Sequence, residues 1–107
     1  MTTIEHIPVL LRETLEILRP RAGGRYVDGT LGGGGHAEAI LEASAPDGEL
    51  LGVDWDEEAR ERSGRRLARF GPRLRVHGGA FDEIGDVLRD LGWEGADGIL
   101  VDLGVSS

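Results

Sequence analysis

The sequence predicts an α/β domain built as a doubly wound parallel sheet. Two observations carry this. Short apolar runs alternate with amphipathic stretches of helical length, the pattern of repeated strand–turn–helix units. Each predicted strand closes on an acidic residue or a glycine turn, where open sheets of this class place their ligands.

The elements follow in order. Pro8 suits the first turn of a helix, where its missing N–H loses no hydrogen bond, and residues 8–18 (PVLLRETLEIL) then place Val9, Leu10, Leu15, Ile17 and Leu18 largely on one side. Pro20, Gly23 and Gly24 end that element. RYVD (25–28) reads as the first strand and HAEAILEA (36–43), after a run of glycines, as a helix closed by APDG. ELLGVD (49–54) is the second strand. The helix after it opens on Asp56, Glu57 and Glu58, which favour the positive end of the helix dipole, and is predicted to run to about Phe70, before Gly71 and Pro72. RLRVHG (73–78) is a third strand and DEIGDVLRDL (82–91) a third crossover helix. DGILVDLGV (97–105) is a fourth strand, apolar enough to be central in a sheet. Right-handed crossovers are expected throughout. With no helix after the fourth strand to cover that side of the sheet, either residues 1–107 are a fragment with a partial form of the fold or the fourth strand lies at an exposed edge, and a fragment is the expectation.

Composition narrows the function. The 107 residues allow one domain with a modest core. There are no cysteines, so neither a disulfide framework nor a thiolate metal site is available, and no metal is expected. No apolar run nears the ~18 residues of a membrane span, and no basic region precedes the first apolar residues, so a cytoplasmic protein is expected. The formal net charge of −8 argues against a nucleic-acid-binding face within this segment. Every basic residue is arginine, a feature of composition rather than of chemistry.

The chemistry concentrates in YVDGTLGGGGHAEAILE (26–42), where an acid, four glycines and a histidine separate strand from helix. Gly32 to Gly35 allow positive φ and let a ligand approach bare backbone. Gly32, Gly34 and Ala37 fit the spacing of a dinucleotide fingerprint, and Asp54 lies where a ribose-binding acid is expected, but a glycine match of this kind is weakly specific. Charge separates the candidates. A pyrophosphate at the helix start would be repelled by Asp28 and Asp102 across the crevice. S-adenosyl-L-methionine has no phosphate; carboxylates stabilise its sulfonium and ammonium, its own carboxylate can use the helix N–H groups, and Asp54 can accept both ribose hydroxyls. An NAD-dependent oxidoreductase and a non-catalytic remnant stay open as rivals at this point.

HIPVLL (6–11), VDGTLGGGGH (27–36), GVDWDEEA (52–59), HGGAFDEI (77–84) and DGILVDLGVSS (97–107) resemble, in order and spacing, the ribosomal RNA small-subunit methyltransferase H family, also called MraW. The resemblance implies a Rossmann-like, S-adenosyl-L-methionine-dependent methyltransferase acting on the exocyclic N4 of a cytidine in small-subunit ribosomal RNA. It implies cofactor contacts at Gly34, Gly35 and His36 in the loop, Asp54 at the ribose, Phe81 near the base and Asp102 at the end of the fourth strand. Asp102, or the carbonyl beside it, is the candidate catalytic group that accepts a hydrogen from N4. Family chains are longer and carry a helical insertion for RNA, so the partner, an assembled small ribosomal subunit, is expected to be met outside these residues, and the segment alone is expected to be inactive. Trp55 departs from the family, where a basic residue is more usual.

Plainer readings stand beside these. Asp28 is equally readable as a cap of the turn, and His36 as a solvated first-turn residue. Asp54 could share helix-capping with Asp56. Phe81 would be core but for the resemblance, whereas a carboxylate at Asp102, closing so apolar a strand, is hard to explain without a ligand. Arg60, Arg62, Arg65, Arg66 and Arg69 could suggest an RNA patch, yet Glu58–Arg62 and Glu61–Arg65 are i,i+4 pairs and favour a solvated face. Trp55 and Trp93 are assigned to packing alone.

Overall fold

Two strands of mostly apolar residues lie side by side at the centre of the sheet. β1 (Arg25–Asp28) runs parallel to β2 (Glu49–Asp54), with Tyr26 opposite Leu50 and Asp28 opposite Gly52. β3 (Leu74–Gly78) extends the sheet beyond β2, and β4 (Gly98–Leu100) extends it beyond β1, both in parallel. The order β3-β2-β1-β4 reverses direction between β1 and β4, the switch that defines a doubly wound sheet. These features come from a computed structural model that describes residues 9–29, 31–32, 34–79 and 81–100, excluding the side chains of residues 9–11 and 81. Among the described strands β4 is an edge rather than central, with Ile99 about half exposed.

The two-residue period of the strands divides the core into two layers. Tyr26 and Leu50 face one side, where they pack with Leu31, with Ala37, Ile40 and Leu41 of α2 (Gly35–Ala43), and with Leu67. Val27, Leu51 and Val53 face the other, against Ile84, Val87, Leu88 and Leu91 of α4 (Ile84–Leu91) and against Trp93. Fully burying a side chain such as Ile40 or Leu50 contributes about 1.5–3 kcal/mol, so these layers hold the helices against the two faces of the sheet. Leu15 and Leu18 of α1 (Val9–Leu18), three residues apart, reach the first layer. Ile17, expected on the same face, is instead 80% exposed because it is one residue from Leu18 and two from Leu15, off their stripe. No described helix is long and apolar enough to cross a membrane.

α3 (Glu57–Arg66) begins as expected. Asp56 takes an extended conformation and its Oδ1 accepts the Glu58 N–H at 3.0 Å, while Glu57 and Glu58 occupy the first turn and Arg65 and Arg66 the last. It ends earlier than the predicted Phe70. Leu67 turns into the core, Gly71 adopts a left-handed φ of 58°, and Pro72 cannot continue an α-helix, so residues Ala68–Arg73 tighten into 3₁₀ turns. The residues before α4 shorten in the same way, with Phe81–Glu83 in a 3₁₀ turn ahead of Ile84.

The expected pairs along α3 do not form. Among the described residues Glu58, Glu61, Arg62 and Arg65 make no ion pair; the cations that pair do so across to α2. Arg66 donates to Glu38 Oε1 at 2.7 Å, Arg69 donates to Glu38 Oε2 at 3.0 Å, and Arg69 also reaches Glu42 at 2.6 Å. Beneath this network Gly34, at φ 93°, packs so closely that a Cβ there would meet the Cβ of Ser63 at 3.3 Å and Leu67 Cδ1 at 3.4 Å. Glu38 and Gly34 therefore fix the glycine loop against α3.

The hydrogen bond from Arg66, seconded by that from Arg69, holds the Glu38 carboxyl below the ordinary carboxylate range, against the opposing effect of burial. A depressed folded-state pKa contributes stability that is complete above the unfolded value and lost as pH falls through the folded one. Glu38→Gln should thus lower stability by about 0.5–1 kcal/mol at neutral pH, and the gap between variant and parent should close as acid titrates the carboxylate, measured by urea unfolding across that range. Gly34→Ala should cost about 1–2 kcal/mol in the same assay because its backbone is left-handed. Gly35→Ala, whose added methyl would meet nothing within 4 Å and whose backbone is helical, should leave stability unchanged or slightly raised.

Candidate functional site

Asp54, the last residue of β2, gathers the loops at the carboxyl end of the sheet. Its Oδ2 accepts the backbone N–H of Gly32 at 2.8 Å, and its Oδ1 accepts that of Asp56 at 2.9 Å. Its main-chain carbonyl accepts Nη1 of Arg60 at 3.0 Å and, at 3.4 Å, the N–H of Gly79. One residue thereby joins the loop after β1, the entry to α3, the body of α3 and the turn after β3. The capping reading of Asp54 is thus partly realised, since it holds the N–H of the capping residue Asp56. Each carboxylate oxygen can accept two hydrogen bonds and uses one here, and the residue is only partly buried, so one acceptor position per oxygen remains for two adjacent hydroxyls.

The glycine loop completes the opposite wall. Leu31 inserts into the core and its N–H donates to the Val53 carbonyl at 3.0 Å, which pins the loop beside β2. Gly52 is required beneath it, because a Cβ there would lie 2.7 Å from Leu31 Cδ1. α2 then starts at Gly35 with Gly34 as its cap residue, and among the described residues no side chain caps it. The first N–H groups of α2, those of Gly35 and His36, are oriented for an acceptor, with the positive end of the helix dipole behind them. His36 is partly exposed at this first turn.

Asp28 closes β1 at 1% exposure, beside the switch point where the Gly29 N–H donates to the Leu100 carbonyl at 2.7 Å. The turn after β3 is braced from its flanks: His77 Nε2 lies 2.8 Å from Glu83 Oε1 across Gly79. Phe81 follows at the first position of the 3₁₀ turn, with its side chain outside the described residues. Asp102, the expected catalytic residue, also lies outside them. Gly34, Gly35, His36 and Asp54 are brought to one end of the sheet, and Phe81 is carried by a turn tied to the same Asp54.

Sequence reasoning missed two features of the site. Arg60 was grouped with a solvated helix face, but its guanidinium folds back over the strand ends and its Nη1 also donates to the Trp55 carbonyl at 3.0 Å. The signal that could have found it is Gly78, whose missing side chain makes room for that guanidinium. Trp55 does not pack: it is 75% exposed on the rim next to Asp54, whereas Trp93 is buried with the Arg25 guanidinium 5.4 Å from its ring centre. A helix entry that opens directly after the strand leaves residue 55 on the outside of the turn.

A shallow cavity of about 570 Å³ lies at the other end of the sheet, lined among others by Gly23, Arg25, Glu94 and Asp97. Its carboxylate Asp97 is already engaged by Arg21 at 3.2 Å and by the Arg25 N–H at 2.8 Å, and it lies at the amino ends of the strands. Doubly wound sheets bind ligands at the carboxyl ends, so the Asp54 end is the candidate site.

Among solved structures, the chain is similar to a protein-L-isoaspartate O-methyltransferase, with a TM-score of 0.74 and 20% identity over 92% of this chain and 30% of that one, which shows the shared fold. It is also similar to the O-methyltransferase TomG from Streptomyces achromogenes in complex with SAM, with a TM-score of 0.62 and 26% identity over 87% of this chain and 41% of that one. In sequence it is 57% identical, over 105 residues, to the ribosomal RNA small subunit methyltransferase H of Geobacter sulfurreducens, covering 98% of this chain and 34% of the relative. The chain thus spans about a third of the length of that relative. A Rossmann-like sheet of the methyltransferase type and a match to the MraW methylase family model over residues 3–107 agree: the chain belongs to the MraW methylase family.

Proposed function

We propose that this segment is the cofactor-binding part of an S-adenosyl-L-methionine-dependent methyltransferase that modifies the exocyclic N4 of a cytidine in small-subunit ribosomal RNA. The observation that carries the reading is the pairing of Asp54, with one acceptor position left on each carboxylate oxygen, with an α2 start whose cap residue, Gly34, has no side chain. These groups fit the donor's chemistry. Asp54 accepts from the ribose hydroxyls. The N–H groups of Gly35 and His36 donate to the amino-acid carboxylate, helped by the helix dipole. The buried Asp28 adds negative charge suited to the ammonium and sulfonium. Phe81 follows the β3 turn at a position suited to the base. When bound, the cofactor supplies a methyl group on a sulfonium that is open to in-line attack.

The protein's task is then one of placement. Cytidine N4 is a weak nucleophile because its lone pair is delocalised into the ring, so a hydrogen-bond acceptor such as Asp102 or its neighbouring carbonyl turns the amine toward the methyl carbon. A target base must be unstacked to reach such a pocket, and the net charge of −8 disfavours unaided capture of RNA by these residues. The cations that hold the small subunit are therefore assigned to the parts of the family's chains that this segment does not span. A ribosomal RNA substrate supports a cytoplasmic setting.

The competing reading, an NAD-dependent oxidoreductase, would need the same helix start to accept a pyrophosphate beside Asp28. Trp55, exposed at the rim, is a built-in reporter. Its fluorescence should respond to S-adenosylhomocysteine at concentrations where NAD has no effect; the reverse ranking would overturn the assignment. Asp54→Ala should weaken S-adenosylhomocysteine binding by on the order of 1.5–3 kcal/mol, the value of charge-assisted hydrogen bonds. Unchanged affinity by calorimetry would remove Asp54 from the ribose.

A further inference from the structure

Arg60 of α3 turns its guanidinium back onto the strand ends that form the site. Nη1 donates to two successive carbonyls, those of Asp54 and Trp55, both at 3.0 Å. The same group lies flat on Gly78, the residue that pairs with Asp54 across β2 and β3: a Cβ on Gly78 would stand 2.5 Å from Cζ and 2.6 Å from Nη1. Gly78 has no positive φ to account for its being glycine, so the room it leaves for the guanidinium is its structural reason. Arg60 therefore spans β2 and β3 at the point where both strands end.

This contact falls on the one stretch of backbone whose orientation decides where the Asp54 carboxylate points. At this strand end the Asp54 carbonyl otherwise has only the long 3.4 Å bond from the Gly79 N–H, and among the described residues Arg60 is the donor that reaches the Trp55 carbonyl. One guanidinium nitrogen held by both carbonyls restrains the peptide that follows the Asp54 Cα, and with it the carboxylate side chain that departs from that Cα. Of the neighbouring arginines, Arg66 and Arg69 bind carboxylates of α2, and among the described residues Arg62 and Arg65 have no ion pair.

We infer that Arg60 is a positioning residue for ribose recognition, acting through the Asp54–Trp55 backbone, and that Gly78 is its seat. The inference rests on the proposal that Asp54 holds the ribose. Arg60 itself touches neither the ligand nor the reacting atoms. Lysine at this position would retain the charge and could reach both carbonyls through its ammonium, but it has no planar group to seat against Gly78, so it would hold them less rigidly.

The test compares binding of S-adenosylhomocysteine with that of its 2′,3′-dideoxyribose analogue, which lacks the hydroxyls Asp54 would accept. The parent protein should favour the first. Arg60→Ala should reduce that preference about fivefold or more while leaving affinity for the dideoxy analogue unchanged, with Arg60→Lys intermediate. Gly78→Ala keeps Arg60 but displaces its guanidinium, so it should reproduce the loss, and the double variant should be no worse than Arg60→Ala alone. A purely structural role would instead weaken both ligands equally, or lower only the melting temperature, and either result would overturn the inference. So would full retention of the preference in Gly78→Ala, which decides the matter even if Arg60→Ala does not fold. A parent protein that does not distinguish the two ligands would refute the ribose assignment itself, a failure separable from that of Arg60.

Discussion

The site depends on hydrogen bonds that converge on Asp54. A carboxylate at the end of a parallel strand is an expensive group to leave partly buried, and here two backbone N–H donors offset that expense, one from each flanking loop. The exchange is mutual. Gly32 and Asp56 lie in turns whose backbone donors have no ladder partner, so the same acid that needs donors gives those donors an acceptor. Through its carbonyl, the residue also draws in α3 and the turn after β3. Loops that would otherwise be independent share one anchor, and a ligand that meets the remaining acceptor positions finds them already aimed.

Preorganisation at Asp54 would be of little use if the glycine loop could drift, and the packing of α2 against α3 prevents this. Gly34 sits against Ser63 and Leu67, Leu31 is seated over Gly52, and the carboxylate of Glu38 ties α2 to two arginines. The glycines thus divide the work. Gly34 and Gly52 allow protein to approach protein, while at Gly35 the direction a side chain would take is open. A loop whose glycines serve both packing and access tolerates little substitution, yet for different reasons at adjacent positions.

Much of the fold was legible because its strands obey local rules. RYVD and ELLGVD are short, apolar and bounded by turn residues, and they form strands at the expected residues. Asp56 caps α3 as a residue of its type preceding two acids should. What could not be read depended on contacts between distant residues. The end of α3 was set by Leu67 entering a core whose other members come from β1, the glycine loop, α2 and β2. The partners of Arg66 and Arg69 lie on α2, roughly thirty positions earlier, and i,i+4 spacing cannot see them. Arg60 was hidden for the same reason, as its seat is a glycine on another strand. Of the site, Asp54 and the loop residues were evident from spacing, whereas the double use of Asp54, as ligand acid and as structural hub, required the geometry. The reading of Trp55 as a packing residue failed because chain position next to a buried strand says nothing about the side of the turn a residue occupies.

The central claim is that the carboxyl end of the sheet, organised by Asp54, receives the cofactor. It is tested most directly by following backbone amide resonances of the isotope-labelled protein as S-adenosylhomocysteine is added. The account predicts that the largest shifts fall on Gly32, Gly35, His36, Asp56 and Gly79, the amides that converge on Asp54 or open α2, while Gly23, Gly92 and Gly95 at the opposite cavity stay still. Shifts concentrated on Gly23, Gly92 and Gly95, with the amides around Asp54 unmoved, would contradict it.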